Sequence, residues 1–323
     1  MKKRIFIVGA GQLGSRHLQA MKAVKIPLDI TVVDPSFISL QEARERYESI
    51  PGENHEIIYS KEIPASFNNV DIAMVPSTAD VRRQIIEELL NRGRVKSMIL
   101  EKLLFTCADD YFKVKELLKK NEVTAWVNCS MRTMPFYAGL QSFFQGSPFL
   151  YMVTGSKFGL VTNAIHYIDH MAYLGGETAY VLDTGQLDYL PIASKRKGFL
   201  ELNGTLSVQF ANGCRGIFTC FSEGSLPVLV EIVSPEVRVI SKEWEGKALI
   251  SKKSDHWNWT EINSTVLYQS QMTAAVVTDI LNKGTCNLVD YDNAMKEHLT
   301  LLSGLQEFLN QKNRNKYHFF PFT

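Results

Sequence analysis

The sequence lacks a long apolar run, a charge excess and paired cysteines, and each absence excludes a class of protein. No stretch of the 323 residues approaches the roughly 20 consecutive apolar residues needed to cross a bilayer, so no membrane span is expected. The basic start Met1-Lys2-Lys3-Arg4 is followed by a short run, Ile5-Phe6-Ile7-Val8, that ends at Gly9 and is too short for the core of a secretory signal. Lys and Arg total 35 against 34 Asp and Glu, and the net charge of +1 gives no drive toward nucleic acid or an anionic membrane. The five cysteines (Cys107, Cys129, Cys214, Cys220 and Cys286) form no CxxC pair. That pattern argues against zinc and against a disulfide framework, and it fits a reducing compartment, so a soluble cytoplasmic protein is expected. There is no internal repeat and no low-complexity stretch. What remains is an ordinary globular mixture, 45% hydrophobic and 21% charged, long enough for two domains.

Against this plain background one motif stands out. Gly9-Ala10-Gly11-Gln12-Leu13-Gly14 directly follows the apolar run Ile5 to Val8, and Asp34 closes a second apolar run, Ile30-Thr31-Val32-Val33. The first glycine permits a tight turn, the second lets backbone approach a pyrophosphate, and the third lets a helix pack on the sheet. The helix N-terminus then offers N–H groups and the positive end of its dipole to phosphates. Asp34 is placed to accept hydrogen bonds from the adenosine ribose and to repel a 2′-phosphate. Pro35, Ser36 and Phe37 follow it with no cation, which favours NAD over NADP. The other reading of Asp34, as a helix cap, competes with Ser39 and Glu42, which form a capping-box pattern of their own.

Strands alternate with helices over the first third. Apolar runs at 70–75, 98–100 and 123–129 follow the two already named, and Val81, Ile85 and Leu89 repeat at helical spacing between them. The pattern predicts a doubly wound parallel sheet, whose ligands lie at the carboxyl ends of the strands. Gly9, Asp34, Pro76, Ser77, Thr78, Glu101 and Lys102 all fall at such ends. From about residue 130 the pattern changes. A helix is expected from Pro135 to Gly146 and another from Thr162 to Leu174 before Gly175-Gly176, followed by strands with Asn203-Gly204 and Asn212-Gly213 as hairpin turns. The fold class expected is therefore α/β: an N-terminal Rossmann doubly wound parallel sheet at 1–125, then an α+β domain at 126–323 with a large open, mainly antiparallel sheet. Phe218, Phe221, Val230 and Ile232 exceed what one face of that sheet needs, and a second subunit is the expected cover. A last helix carries Ala294, His298, Leu302, Leu305 and Leu309 on one side.

Two clusters carry chemistry. Glu101-Lys102 ends a buried strand, either as solvated loop residues or as a functional pair. On the helix at 162–174, Thr162, His166, Asp169, His170 and Tyr173 share a face by spacing. Histidine suits proton transfer near neutrality, and Asp169 could orient a ring. The same spacing also allows two merely satisfied histidines, or an ion shared by His166 and His170; no third ligand is evident, and no metal is expected.

Taken together, GxGxxG at 9–14, Glu101-Lys102, Asn128 and Arg132 before Pro135, and His166-x-x-Asp169 resemble the Gfo/Idh/MocA oxidoreductases, in order and over nearly the whole chain. The resemblance implies NAD(P)-dependent oxidation or reduction of a sugar, cyclitol or sugar-nucleotide hydroxyl, and a homodimer or homotetramer built through the C-terminal sheet. By match, Lys102 stands near the nicotinamide and the reacting hydroxyl, and His166 is the acid/base. Three positions depart from the family pattern: Leu103 replaces a proline, Thr162 an aspartate and Arg82 a histidine. Asn163 and Asp169 resemble a branch associated with surface-polysaccharide synthesis. The expected assignment puts NAD along Gly9, Ala10, Gly11, Gln12, Leu13 and Gly14, its ribose on Asp34 and its nicotinamide near Pro76, Ser77, Thr78, Glu101 and Lys102. A sugar-type substrate is expected between the domains against Lys102, Arg132, Lys157, Asn163, His166 and Asp169, with Lys102, His166 and Asp169 catalytic. The alternative is a non-catalytic NAD- and sugar-binding regulator on the same fold.

Overall fold

The computed structural model describes residues 2–312 and 316–323. The first stretch runs β1 (Lys3–Val8), α1 (Gln12–Ala20), β2 (Leu28–Val33), α2 (Phe37–Glu48), β3 (Glu56–Ser60), β4 (Phe67–Val75), α3 (Arg82–Arg92), β5 (Gly93–Leu100), α4 (Ala108–Lys120) and β6 (Thr124–Val127). Next come α5 (Pro135–Gly139), α6 (Gln141–Phe144), β7 (Leu150–Ser156), α7 (Leu160–Gly175), β8 (Tyr180–Leu187), β9 (Ile192–Ala193), β10 (Leu200–Glu201), β11 (Gly204–Phe210) and β12 (Arg215–Phe221). The chain continues through β13 (Leu229–Val233), β14 (Val237–Lys242), β15 (Lys247–Lys252), β16 (Trp259–Asn263), α8 (Gln269–Lys283), β17 (Val289–Asp290) and α9 (Tyr291–Lys312). Among the described residues, no helix is long and apolar enough to cross a membrane.

The chain divides into two compact units. The first comprises residues 1–130 and 267–292. Its sheet has the order β3-β2-β1-β4-β5-β6-β17, parallel throughout except for β17, which runs antiparallel to β6. This is the doubly wound order whose direction reverses between β1 and β4, where ligands of such sheets bind. The boundary expected at 125/126 falls inside β6. Residues 267–292 return to the first unit because α8 lays Ala274, Val277 and Ile280 into the same core as Leu18, Met21 and Ile5. Local periodicity cannot show such a return. Helix α3 buries Arg82, Ile86 and Leu89, whereas Val81 is exposed, so the expected stripe is rotated by one residue. Helix α2 is capped by Ser36, whose hydroxyl accepts the Ser39 N–H at 3.2 Å, and not by the Ser39–Glu42 pattern.

The second unit comprises residues 131–266 and 293–323. Its sheet has the order β16-β15-β14-β13-β7-β12-β11-β8, antiparallel at every pairing except β7 with β12. Phe218, Val230 and Ile232 all point to one face and are fully buried; Phe221 alone of the four expected residues faces the other way, 49% exposed. The excess therefore rests on different side chains. Ile217, Met152, Glu231, Ile240 and Leu249 form a row across the open face, four apolar side chains and one carboxylate, none of them fully buried. Asn212-Gly213 makes the β11–β12 hairpin as expected, but Asn203-Gly204 does not: Gly204 opens β11, which pairs with β8 and β12, while β10 pairs with β9. The helix expected from Pro135 to Gly146 breaks into α5 and α6 at Leu140.

Candidate functional site

At the carboxyl end of β1 the glycines meet the demands of a dinucleotide turn. Gly9 has φ +116°, which a side chain rarely adopts. A Cβ on Gly14 would stand 1.7 Å from the Gly9 carbonyl oxygen and 3.1 Å from Pro76 Cγ, so α1 packs on the turn at a distance only glycine allows. A Cβ on Gly11 would meet nothing within 4 Å, so this glycine borders open space, where backbone can be approached closely. The first-turn N–H groups of α1 have no acceptor within the helix. Asp34 ties the turn down: Oδ2 accepts the Ala10 N–H at 2.7 Å and Oδ1 the Ser36 N–H at 2.8 Å. A carboxylate has about four lone-pair sites, so acceptor capacity remains for ribose hydroxyls. Ser77, against Gly9, has a buried hydroxyl with no partner among the described residues. An open glycine edge, a satisfied but unsaturated carboxylate and an orphaned hydroxyl fit a dinucleotide.

At the end of β5 the solvated-loop reading is overturned: Glu101 is 4% and Lys102 8% exposed. Glu101 belongs to a closed ring of side chains. Its Oε1 accepts from Asn128 Nδ2 and lies 3.1 Å from His17 Nε2. His17 Nδ1 is 2.9 Å from Thr273 Oγ1, Gln269 Nε2 donates to that hydroxyl, and Asn128 Nδ2 donates to Gln269 Oε1. Burial opposes ionisation of Glu101, but the His17 hydrogen bond and charge, the Asn128 amide and the Lys102 charge outweigh it, holding the carboxyl below its ordinary range. An ionised Glu101 accepts, so His17 Nε2 carries a proton toward it. Arg82 closes the neighbouring loops. Its guanidinium donates to the carbonyls of Val75, Ser77, Leu103 and Leu104. The Lys102–Leu103 peptide is cis.

In the second unit, α7 opens after Gly159 in the left-handed region and closes at Gly176 likewise. Of its expected polar face, Asp169 is fully buried and accepts from Arg132 Nη1 at 3.1 Å, so its first duty is to a guanidinium that also lies over the Tyr173 ring. His166 is half-buried. His170 is a core histidine: its Nε2–H donates to the Tyr137 carbonyl at 3.1 Å, and Nδ1 accepts from the Tyr151 hydroxyl at 3.0 Å. Both ring nitrogens are committed, which removes the shared-ion reading with His166. Asn163 spends Nδ2 on the Phe158 and Gly159 carbonyls, leaving Oδ1 for a ligand. Thr162 Oγ1 donates to Glu201 Oε2 at 2.7 Å. Lys157 sits at φ +53°, a left-handed conformation that costs a non-glycine residue on the order of 1–3 kcal/mol. Lys157, Asn163, Thr162 and Glu201 line one pocket of about 650 Å³.

Burial lowers the His170 imidazole to about 4 from 6.5; the Tyr137 carbonyl acts the other way, and the Arg132 charge adds to the lowering. The unfolded chain binds a proton at the ordinary value, and the native state binds it only near the lowered one. The contribution is complete above pH 6.5 and is lost as pH falls through 6.5 toward 4, by up to about 3 kcal/mol. Urea midpoints measured across this window should fall with pH, and His170→Gln, less stable overall, should show a shallower fall.

Sequence reading missed His17, Thr273, Gln269 and Glu201. The only signal for Glu201 was an acid between two leucines, and Gln269 and Thr273 come from a helix remote in sequence. Arg82 was noticed only as a departure from a pattern.

Fold and turn together define a dinucleotide-binding α/β protein. Residues 3–129 match the Gfo/Idh/MocA family model, described as an oxidoreductase family with an NAD-binding Rossmann fold. Residues 3–129 are thus similar to that family, over less than half of the chain. No curated protein sequence matches the chain. Solved structures do. An oxidoreductase from Agrobacterium radiobacter in complex with NAD+, L-tartaric acid and magnesium is similar at 16% identity and TM-score 0.73, over 93% of this chain and 94% of that one. UDP-N-acetylglucosamine 3-dehydrogenase from Acidithiobacillus ferrooxidans is similar at 12% identity and TM-score 0.70, over 94% and 96%. An NAD-binding oxidoreductase from Klebsiella pneumoniae is similar at 12% and 0.71, over 97% and 98%. At such identities the likeness is one of fold.

Proposed function

We propose that the protein is an NAD-dependent dehydrogenase acting on a secondary alcohol of a sugar, cyclitol or sugar nucleotide. The observation that carries the reading is the buried Glu101–Lys102 pair at the carboxyl end of β5, held by the His17 ring in a sheet of the NAD-binding family. The similar folds include one crystallised with a hydroxy acid and one that acts on a sugar nucleotide, which supports a polyhydroxylated substrate. NAD would lie along Gly9 to Gly14 with its ribose on Asp34, and when bound it supplies the hydride acceptor. Lys102 orients the substrate hydroxyl and stabilises negative charge on its oxygen. The His166 imidazole takes the hydroxyl proton. Asp169 fixes Arg132, Lys157 and Asn163 line a pocket that includes neither of these two, and all four are assigned to the substrate.

The ribose assignment has a direct consequence. Purified protein should bind NADH about tenfold or more tightly than NADPH, because a 2′-phosphate would face the Asp34 carboxylate. Fluorescence titration with both nucleotides checks this, and a preference for NADPH would overturn the placement of Asp34. The four apolar side chains of that row, Ile217, Met152, Ile240 and Leu249, with Phe221 beside it, support a homodimer or homotetramer through the open sheet face. Light scattering at micromolar concentration should give a multiple of the chain mass of 36.6 kDa; a stable monomer would refute the interface.

A further inference from the structure

The side chains around Glu101 fix their own proton positions, with one exception. A carboxylate can only accept, so Asn128 turns Nδ2 toward Glu101 Oε1 and uses the second hydrogen of that amide on Gln269 Oε1 at 2.9 Å. Gln269 Nε2 is then the atom that faces Thr273, and it donates to Oγ1 at 2.8 Å. From the other side His17 Nε2 donates to Glu101 Oε1 at 3.1 Å. What is left is the hydrogen of the Thr273 hydroxyl. Two acceptors stand within its reach, His17 Nδ1 at 2.9 Å and the Gln269 carbonyl at 3.0 Å.

Those two acceptors define two complete states. If the hydroxyl donates to Nδ1, the imidazole is neutral. If it turns to the Gln269 carbonyl, the back-bond a helical threonine makes to residue i−4, Nδ1 carries a hydrogen and donates to Oγ1, and the imidazole is charged. No bond of the closed ring is lost in either state, and no heavy atom has to move. A buried histidine that gains a proton needs an anion beside it, and His17, 1% exposed, has Glu101.

Other charges on the elements packed against α1 are engaged elsewhere. Arg46 reaches α1 from α2 but donates to Gln12 and Ser15, and Arg16, on α1 itself, donates to Gln19. Lys3 and Arg4 lie at the far end of β1 with Asp71. On α8, Asp279 and Lys283 pair with each other. The charges that act on His17 most directly are therefore Glu101 and, next to it in sequence, Lys102.

Ligands of such a sheet lie at the carboxyl ends of its strands, where Glu101 stands. NAD+ and NADH differ there by one positive charge on the nicotinamide ring. A charged His17 opposes that positive charge across a medium of low dielectric, and it does not oppose the neutral ring of NADH. We infer that His17 couples a proton to the oxidation state of the nicotinamide: Nδ1 holds a second proton when NADH is bound and gives it to solvent when NAD+ is bound. This proton is distinct from the hydride and from the proton of the substrate hydroxyl, and His17 makes no bond to carbon. The total charge around Glu101 and Lys102 is thereby kept level while the nicotinamide gains or loses its own. The inference deepens the dehydrogenase reading and rests on it for the place of the nicotinamide; the two proton states rest on the hydrogen bonds alone.

Calorimetry on the full chain with NAD+ and with NADH, each in two buffers of different ionisation enthalpy such as PIPES and BIS-Tris, counts the protons exchanged on binding. Between about pH 6 and about pH 8, where imidazoles titrate, NADH should take up about 0.3 or more proton per site beyond what NAD+ does. Over the same range the ratio of the NAD+ to the NADH dissociation constant should rise about threefold or more as pH falls. His17→Gln keeps a donor toward Glu101 but takes no second proton, and the difference should vanish. Thr273→Val, nearly isosteric, removes the acceptor of the Nδ1 hydrogen and should cut the difference to about half or less. His166→Ala should leave it in place. Equal proton exchange for the two nucleotides in wild type would overturn the inference, as would a difference that survives in His17→Gln or is lost in His166→Ala. Should His17→Gln fail to fold, an undiminished difference in Thr273→Val overturns it. Wild type that binds neither nucleotide would refute the NAD reading itself, separately from the proton count.

Discussion

Lys102→Ala and His166→Ala should each lower turnover by about 10² to 10⁴, the usual loss when a positioned acid, base or charge is removed. Neither residue is placed to hold the adenosine half of NAD, so NADH affinity should change little in both variants. The two effects should not multiply. If lysine and histidine act as one unit on the same hydroxyl, the double variant should be little worse than the worse single one. Lys102 is buried beside an ionised Glu101, so alanine there also leaves a carboxylate short of one neutralising charge. Lys102→Arg separates the two consequences: charge is kept beside Glu101, but the compact ammonium is lost, and turnover should remain low while the protein melts as wild type does. Turnover is read as NADH absorbance with a cognate sugar. A substrate whose oxidation survives both alanine substitutions would remove Lys102 and His166 from the chemistry.

The second large effect separates two glycines of one motif. Gly14→Ala forces a Cβ to 1.7 Å from a backbone oxygen and 3.1 Å from Pro76, with no flexible side chain to yield at the closer contact. The first unit should lose at least about 1–3 kcal/mol, the scale of overpacking, and melt at lower temperature. The Cβ of Gly11→Val meets nothing within 4 Å, and the variant should fold as wild type. Its isopropyl group would fill the space a pyrophosphate needs, so NADH affinity should fall roughly a hundredfold, about 2.7 kcal/mol. Melting curves and NADH titration on both variants check the pair. A Gly11→Val protein that binds NADH normally would contradict the placement of the phosphates.

What the sequence revealed was local, and what it hid was carried by distant partners. Gly9, Gly11, Gly14 and Asp34 were legible because a turn, a helix start and a strand end follow one another within a short stretch. The parallel sheet was legible for the same reason: each strand is an apolar run and each crossover a short helix. His170 was left open between a satisfied histidine and an ion ligand because helical spacing reports which residues share a face and not whether Tyr137 and Tyr151 stand against it. Helix α8 could not be assigned to the first unit, since its apolar residues look alike whichever core they enter. The ring through His17, Glu101, Asn128, Gln269 and Thr273 draws on four separate elements or their ends, and no spacing rule connects them. Glu201 was hidden for a related reason: it reaches the start of α7 from a two-residue strand.

The central claim is that the chain oxidises or reduces a sugar-type alcohol with NAD, rather than binding both as a regulator. The most direct measurement uses sugars and sugar nucleotides deuterated at each ring carbinol, incubated with protein and NAD, with the nucleotide then analysed by mass spectrometry. The account predicts deuterium in the nicotinamide ring for one labelled position of one substrate class, and none when His166→Ala replaces wild type. A sugar that binds the NAD-loaded protein tightly yet never transfers its label would contradict the account and identify a binding protein.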